Sequence, residues 1–313
     1  MPARELARLL ILAGLWGGSF AFIRAAVSAT GPLWLAFLRV ALAFGALFVL
    51  ALAKKDVPTL RDRWRDYLVI GAVNSAFPFA LYCFAEQYVT ASTAAVINAT
   101  SPFFGAIVAA LWLREPLSLR QVVGMLLGLA GVALLVGWEP EPLSAMTIVA
   151  MLACLGAALC YGIASVYAKA RMGGVPSTSI ALYSQLAAAI VLAPTVAFAP
   201  LPAPPSLFVT VNVLALALAS TAFAYLLYFR LIANIGPARA LTVTFLIPLF
   251  GLLWGVALLG EPLAANTLSA CGLILVGTWL ATRQPEPRGD QASKRKLQTS
   301  SAAGPNTCAR NSR

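Results

Sequence analysis

The sequence predicts an all-α integral membrane protein with ten transmembrane helices arranged as two inverted five-helix repeats. Three observations predict it. First, 60% of the 313 residues are hydrophobic and 11% are charged, against about 25% charged in soluble domains. Second, the polar residues collect in short breaks and in a stretch after Thr282, which leaves apolar runs of about 20 residues, the length a helix needs to cross the ~30 Å hydrocarbon core. Third, segments 146 residues apart match in register. Only helices or closed barrels satisfy every backbone group in lipid. The runs are too long for barrel strands and lack their period-two alternation, so helices are expected.

The runs cover 8–27, 33–53, 67–86, 92–113, 118–137, 146–169, 177–198, 208–231, 238–259 and 266–282. Turn chemistry separates them: Gly31-Pro32, Glu115-Pro116, "EPEP" from Glu139, Gly173-Gly174 with Pro176, "PLPAPP" from Pro200, Gly236-Pro237 and Glu261-Pro262. Arg4 and Arg8 ahead of an apolar run, with "VSA" ending at Ala29, resemble a secretory signal. The length of that run, the interruption at Arg24 and its pairing with the sixth run favour a retained helix. The organisation expected is a first repeat over 1–137, a second over 138–282 and a disordered basic tail over 283–313.

Positive charge sets the expected orientation, because Lys and Arg in short loops collect on the cytoplasmic side. With the N-terminus inside, 20 of the 22 Lys and Arg fall inside, seven of them in the tail. The outer loops then hold only Glu86, Glu139, Glu141 and Glu261. Arg24 and Arg39 are left over, within the first and second runs. Both termini are therefore expected inside a cell inner membrane.

The register of the two halves gives the same answer. "SAFPFALY" from Ser75 aligns with "TAFAYLLY" from Thr221, and Pro102, Phe104, Gly105, Glu115, Pro116 and Leu117 align with Pro248, Phe250, Gly251, Glu261, Pro262 and Leu263. At an offset of 145, "WGGSFAFIR" from Trp16 falls on "YGIASVYAK" from Tyr161. Five runs is an odd number, so the second half enters the membrane upside down. "LREPLSLR" carries arginines and "LGEPLAAN" does not because the two copies lie on opposite faces. In both, Glu-Pro suits a helix start. Inverted halves that rock about a midplane site are the architecture of secondary transporters working by alternating access.

These residues carry a resemblance. "WGGSFAFIR", "FLRVALA", "LREPLSLRQVVGMLLGLAGVALL" and "LGEPL" resemble the EamA-like family of the drug/metabolite transporter superfamily over about residues 8–282. The resemblance implies a ten-helix carrier of metabolites or drugs in a cytoplasmic membrane, commonly an exporter, with inside termini. The second half departs further, reading Gly236-Pro237-Ala238 where the first has "TAS".

Candidate substrate contacts are polar groups within the runs. Arg39 is placed about 9 Å deep at 1.5 Å per residue, and Arg24 lies near the outer end of its run. A cation inside a span faces a polar interior or snorkels to the interface. The first alternative makes an anion-attracting vestibule for a carboxylate or phosphate. Pro102 and Pro248 hold equivalent mid-run positions and are expected to kink their helices as hinges, whereas Pro78 faces Ala224 across the register. Near these bends lie Asn74, Tyr82, Asn98, Thr100 and Ser101, and then Tyr161, Ser220, Thr221, Tyr225, Tyr228, Thr242 and Thr244. From these the expected substrate set is Arg24, Arg39, Asn74, Tyr82, Asn98, Ser101, Tyr161, Tyr225 and Thr244; the competing role for Asn is helix–helix hydrogen bonding. Gly124, Gly128 and Gly131 read as close helix packing. Glu86, at the outer end of the third run, is the coupling candidate if protons are involved.

Absences exclude other chemistry. There is no histidine, no paired carboxylate in a run and no Cys pair at ligand spacing, so no metal, cofactor, zinc enzyme or catalytic triad is expected. Cys83, Cys154, Cys160 and Cys271 fall in apolar helix and Cys308 in the tail, and no disulfide is expected. No phosphate-cradling Gly-Lys loop appears. The net charge of +11 follows topology and the tail rather than one folded surface, so nucleic acid is not an expected partner. Expected partners are a small solute and the lipid bilayer, with pairing into a homodimer left open. The expected function is secondary transport of a small metabolite or drug-like solute, with an amino acid or organic anion as the candidate class, in the outward direction; the alternative is a lipid flippase or a flippase subunit of an envelope-modifying pathway. A carrier would enclose a centre lined by Arg39, Asn98 and Tyr225, and a flippase would open sideways to lipid.

Overall fold

Gly31 ends the first helix in a left-handed conformation (φ 76°) and Pro32 opens the second, each the residue type its position favours. Side-chain oxygens start three later helices. Thr90, Ser144 and Ser206 accept from the backbone N–H of Thr93, Thr147 and Val209, satisfying donors that a helix start leaves free. The computed structural model of the protein describes all residues except 1, 56, 59, 61–62, 115–116, 138–143, 201–203, 236–242, 263–264 and 283–313. The expected turns at Glu115-Pro116, "EPEP" and Gly236-Pro237, with Arg239, Thr242, Cys308 and the tail, lie outside the described residues.

The described residues belong to the unit Met1–Thr282 and contain no strand. The helices are α1 (Ala3–Thr30), α2 (Pro32–Ala53), α3 (Trp64–Gly71), α4 (Phe77–Ala85), α5 (Ala91–Asn98), α6 (Ser101–Trp112), α7 (Leu119–Gly137), α8 (Ala145–Arg171), α9 (Ser177–Ala197), α10 (Leu207–Leu214), α11 (Ala224–Ile235), α12 (Val243–Leu259) and α13 (Ala265–Thr282). A π-helical stretch, Ala72–Ala76, joins α3 to α4, and a second, Ala215–Phe223, joins α10 to α11. Seven helical stretches are long and apolar enough to cross a membrane: Ala3–Thr30, Pro32–Ala53, Trp64–Ala85, Ala91–Trp112, Ala145–Arg171, Ser177–Ala197 and Leu207–Tyr228. Three further apolar helices, Leu119–Leu134, Val243–Leu259 and Ala265–Leu280, are shorter.

Glycines set the closest approaches. A Cβ on Gly17 of α1 would lie 2.6 Å from Phe250 Cβ and 2.9 Å from Gly251 N of α12. One on Gly162 of α8 would lie 2.7 Å from Gly105 N and 2.8 Å from Phe104 Cβ of α6. These are equivalent contacts in the register of the two halves, so each half packs its opening helix against the other's fourth. Gly131 of α7 meets Ala270 and Ile274 of α13 in the same way.

The prolines behave differently from their expected symmetry. α5 stops at Asn98 and α6 restarts at Ser101, so the fourth run is broken just ahead of Pro102. Pro248 instead lies inside the unbroken α12. Pro102 cannot donate to the Asn98 carbonyl; the Ser101 hydroxyl takes that carbonyl at 2.6 Å, and the Thr100 hydroxyl takes Ile97 O at 2.7 Å. Hydroxyl residues directly before the proline stabilise the break, and "FLIPL" before Pro248 offers none within three residues.

Candidate functional site

The two π-helical stretches place Ser75 and Thr221, residues 146 apart, toward the partner half. The Thr221 hydroxyl donates to Leu216 O at 2.8 Å, five residues back, which fits the wider π turn. Its oxygen then accepts from Arg39 Nε at 2.9 Å. In the other half, Gln185 Nε2 donates to Ser75 Oγ at 3.1 Å. Arg39 and Gln185 are also 146 apart. The two bonds are therefore one contact made twice, each from the second helix of one half to the π turn of the other.

Aromatic contacts repeat the exchange. The Arg39 guanidinium lies 3.6 Å over the Phe79 ring, a favourable cation–π geometry. Tyr225, the equivalent of Phe79, has Gln185 and Ser75 beside its hydroxyl and accepts from Asn74 Nδ2 at 2.9 Å. Tyr82 contacts Tyr161 with ring centroids 6.3 Å apart, and Tyr228 contacts Trp16 at 5.2 Å; Trp16 and Tyr161 are the offset-145 pair. Tyr82 also donates to Asn98 Oδ1 at 2.9 Å and meets Phe20 edge-on.

The structure thus brings Arg39, Asn74, Tyr82, Asn98, Ser101, Tyr161 and Tyr225 into linked contacts, and all but the buried Arg39 and Tyr82 are half-buried although they sit within apolar helices. Thr244 stands at the start of α12, half-buried, one turn before Pro248. Arg24 is exposed and belongs elsewhere: its Nη1 donates to the main-chain carbonyl of Glu86 at the end of α4. There Glu86 is fully buried, while Glu261 accepts from Ala91 N at 2.7 Å, Ser92 N at 3.0 Å and the Ser92 hydroxyl.

Arg39 is the chemical centre of the network. It is 5% exposed, its one hydrogen-bond partner among the described residues is Thr221, and no carboxylate pairs with it. A buried cation is retained only with compensation, and here a hydroxyl and an aromatic face supply it in part. The guanidinium keeps donors in a fork suited to a carboxylate or phosphate. Gln185, Ser75, Phe79 and Trp16 escaped the sequence reading. Extending the offset of 146 to the second run would have pointed from Arg39 to Gln185.

Apolar helices long enough to span a bilayer, joined by short breaks around a polar centre, define a multi-pass membrane protein. The model of the EamA-like transporter family matches residues 6–137 and again 148–283. The chain belongs to that family and is a membrane transporter of small solutes. It is 32% identical to YedA, an uncharacterized inner membrane transporter of Escherichia coli, over 86% of this chain and 87% of that one. It is 27% identical to an S-adenosylmethionine/S-adenosylhomocysteine transporter of Chlamydia trachomatis, over 88% and 89%. A probable terminal-alkyne amino-acid exporter of Streptantibioticus cattleyicolor is 26% identical over 91% and 95%. A solved crystal structure shares the fold with a TM-score of 0.65 at 20% identity, covering 95% of this chain and 100% of the other.

Proposed function

We propose that the chain is a secondary carrier that exports a small carboxylate-bearing metabolite across a cell inner membrane by alternating access. The observation that carries this reading is Arg39, a buried cation at the junction of the two halves that has no carboxylate partner among the described residues. The solute's carboxylate supplies the missing charge, Asn98, Tyr161 and Tyr225 surround it, and Asn74, Tyr82 and Ser101 hold those groups in place. Arg24 receives the solute at the outer end. The solutes named for two relatives, S-adenosylmethionine and an amino acid, both carry a carboxylate.

Two inverted five-helix repeats, 1–137 and 138–282, form the moving parts, with Pro102 as the hinge at the break between α5 and α6 and Pro248 as a second, different hinge inside the continuous α12, where Thr244 one turn ahead of it joins the solute contacts. Contacts between helix ends support this alternation. Arg63 donates to Arg171 O, Tyr167 to Asp66 and Asn234 to Glu5, all on the face expected inside, with both termini. Arg24–Glu86 and Glu261–Ser92 join ends expected outside.

Flux of S-adenosylmethionine, amino acids and dicarboxylates in proteoliposomes tests the reading. The expected result is saturable flux of a carboxylate that collapses in Arg39→Gln. Flux equal in wild type and Arg39→Gln would remove Arg39 from the site. Absence of flux for every soluble probe, with movement of a labelled lipid, would replace the carrier by a flippase.

A further inference from the structure

Two carboxyl groups meet at the end of the molecule expected to face outward, and the fold treats them oppositely. Glu261 is saturated: two backbone N–H groups and a hydroxyl at the start of α5 converge on its carboxylate. Gly255 makes room for it, since a Cβ there would collide with both the Glu261 carboxylate and Ser92 Oγ. Glu86 follows α4 directly, is 0% exposed, and neither of its carboxyl oxygens has a hydrogen-bond partner among the described residues.

The titratable and charged groups facing Glu86 are Arg24 of α1, Arg39 of α2, Tyr82 and Cys83 of α4 itself, Cys154 of α8, and Glu261 ahead of α13. None donates a hydrogen bond to its carboxyl group. Tyr82 donates to Asn98, Arg39 to Thr221, and Arg24 to the Glu86 main chain rather than its side chain. An ionised carboxylate here would be dehydrated without donors to offset the cost, beside a second carboxylate that already holds the local N–H groups. The acid form suits the closed arrangement. The ionised form needs water or the Arg24 guanidinium, and both become available only if this end of the molecule rearranges.

We propose that Glu86 is a proton-binding site of the transport cycle, charged when the outer end opens and neutral when it closes. The chemistry is a single transfer: hydronium gives a proton to a Glu86 carboxylate oxygen and leaves water, and the reverse step returns it. Arg24, already anchored on the Glu86 main chain, pairs with the ionised form, and Glu261 stays committed to α5 throughout. The inference rests on the carrier reading above, because it makes proton occupancy a step in the same cycle.

Infrared difference spectroscopy of the full chain in lipid, recorded across a pH titration, reads the site with the proton itself as probe. Wild type and Glu261→Gln are expected to show a protonated-carboxyl band that bleaches as pH rises, and Glu86→Gln is expected to lack it. Should Glu86→Gln fail to fold, Glu86→Asp retains the acid and is expected to shift the band and its midpoint. A band that survives in Glu86→Gln, or a Glu86 band that never titrates while the protein stays folded, overturns the proposal and leaves a permanently neutral structural acid. In proteoliposomes, an entrapped pH dye reports proton movement during flux of the amino-acid and S-adenosylmethionine probes. Solute flux in wild type without proton movement overturns the proton site and leaves the carrier standing. Absence of any solute flux counts against the carrier, while the infrared titration still decides whether Glu86 exchanges a proton.

Discussion

The half that contributes Arg39 and the half that contributes Gln185 make the same contacts with different chemistry. Each sends the side chain of its second helix into the π turn of the other, to Thr221 in one case and Ser75 in the other. Each has an equivalent aromatic residue beside that side chain, but the contact differs: the Arg39 guanidinium lies over the Phe79 ring, whereas Gln185 meets the Tyr225 hydroxyl. Packing therefore accepts a neutral amide as readily as a guanidinium at this place. The equivalent contact is made without a charge at Gln185, which is the ground for proposing that the charge on Arg39 serves the solute.

Removing the cation is the largest way to break this comparison. A hydrogen bond to a charged group contributes about 1.5–3 kcal/mol, so Arg39→Gln is expected to lower carboxylate flux by about tenfold or more. Gln185→Ala, measured in the same assay, is expected to change it only a few-fold. The packing contacts should respond equally in the two halves. Gly17→Leu and Gly162→Leu each force a side chain against facing backbone, and overpacking costs about 1–3 kcal/mol; thermal unfolding in detergent should show similar losses. A large loss in one and none in the other would refute the equivalence.

Glu261→Gln tests a contact at the start of α5 that the described residues show only once. Weakening the cap on α5 is expected to cost about 1 kcal/mol, read as a small drop in thermal midpoint with carboxylate selectivity unchanged. The smallest effect is expected from Ser101→Ala, which frees the Asn98 carbonyl at a cost of about 0.5–1.5 kcal/mol. It should appear as faster hydrogen exchange around the break before Pro102, with no change around Pro248.

Helix positions were legible because long apolar runs and turn pairs such as Gly31-Pro32 mark them, whereas the capping hydroxyls of Ser144 and Ser206 went unread. Arg39 and the Tyr82–Asn98 and Asn74–Tyr225 groups were legible because polar side chains are rare in such runs. The π turns were not, since Ser75 and Thr221 take their partners from the other half and no local pattern announces that. Pro102 and Pro248 misled as a matched pair because the break depends on the hydroxyls of Thr100 and Ser101 as well as the proline. Gln185 carries no charge to draw attention. Arg24 looked like a companion of Arg39, but its guanidinium meets the main-chain carbonyl of Glu86 at the end of α4.

Moving the charge is the most direct test of whether one cation at a duplicated contact selects the solute. The measurement is the ratio of flux for a transported carboxylate to flux for its amide analogue, in wild type, in Arg39→Gln and in Arg39→Gln/Gln185→Arg. The account predicts that the ratio collapses in the single variant and recovers in part when the guanidinium is placed at 185. A ratio that stays at the wild-type value in Arg39→Gln would contradict it.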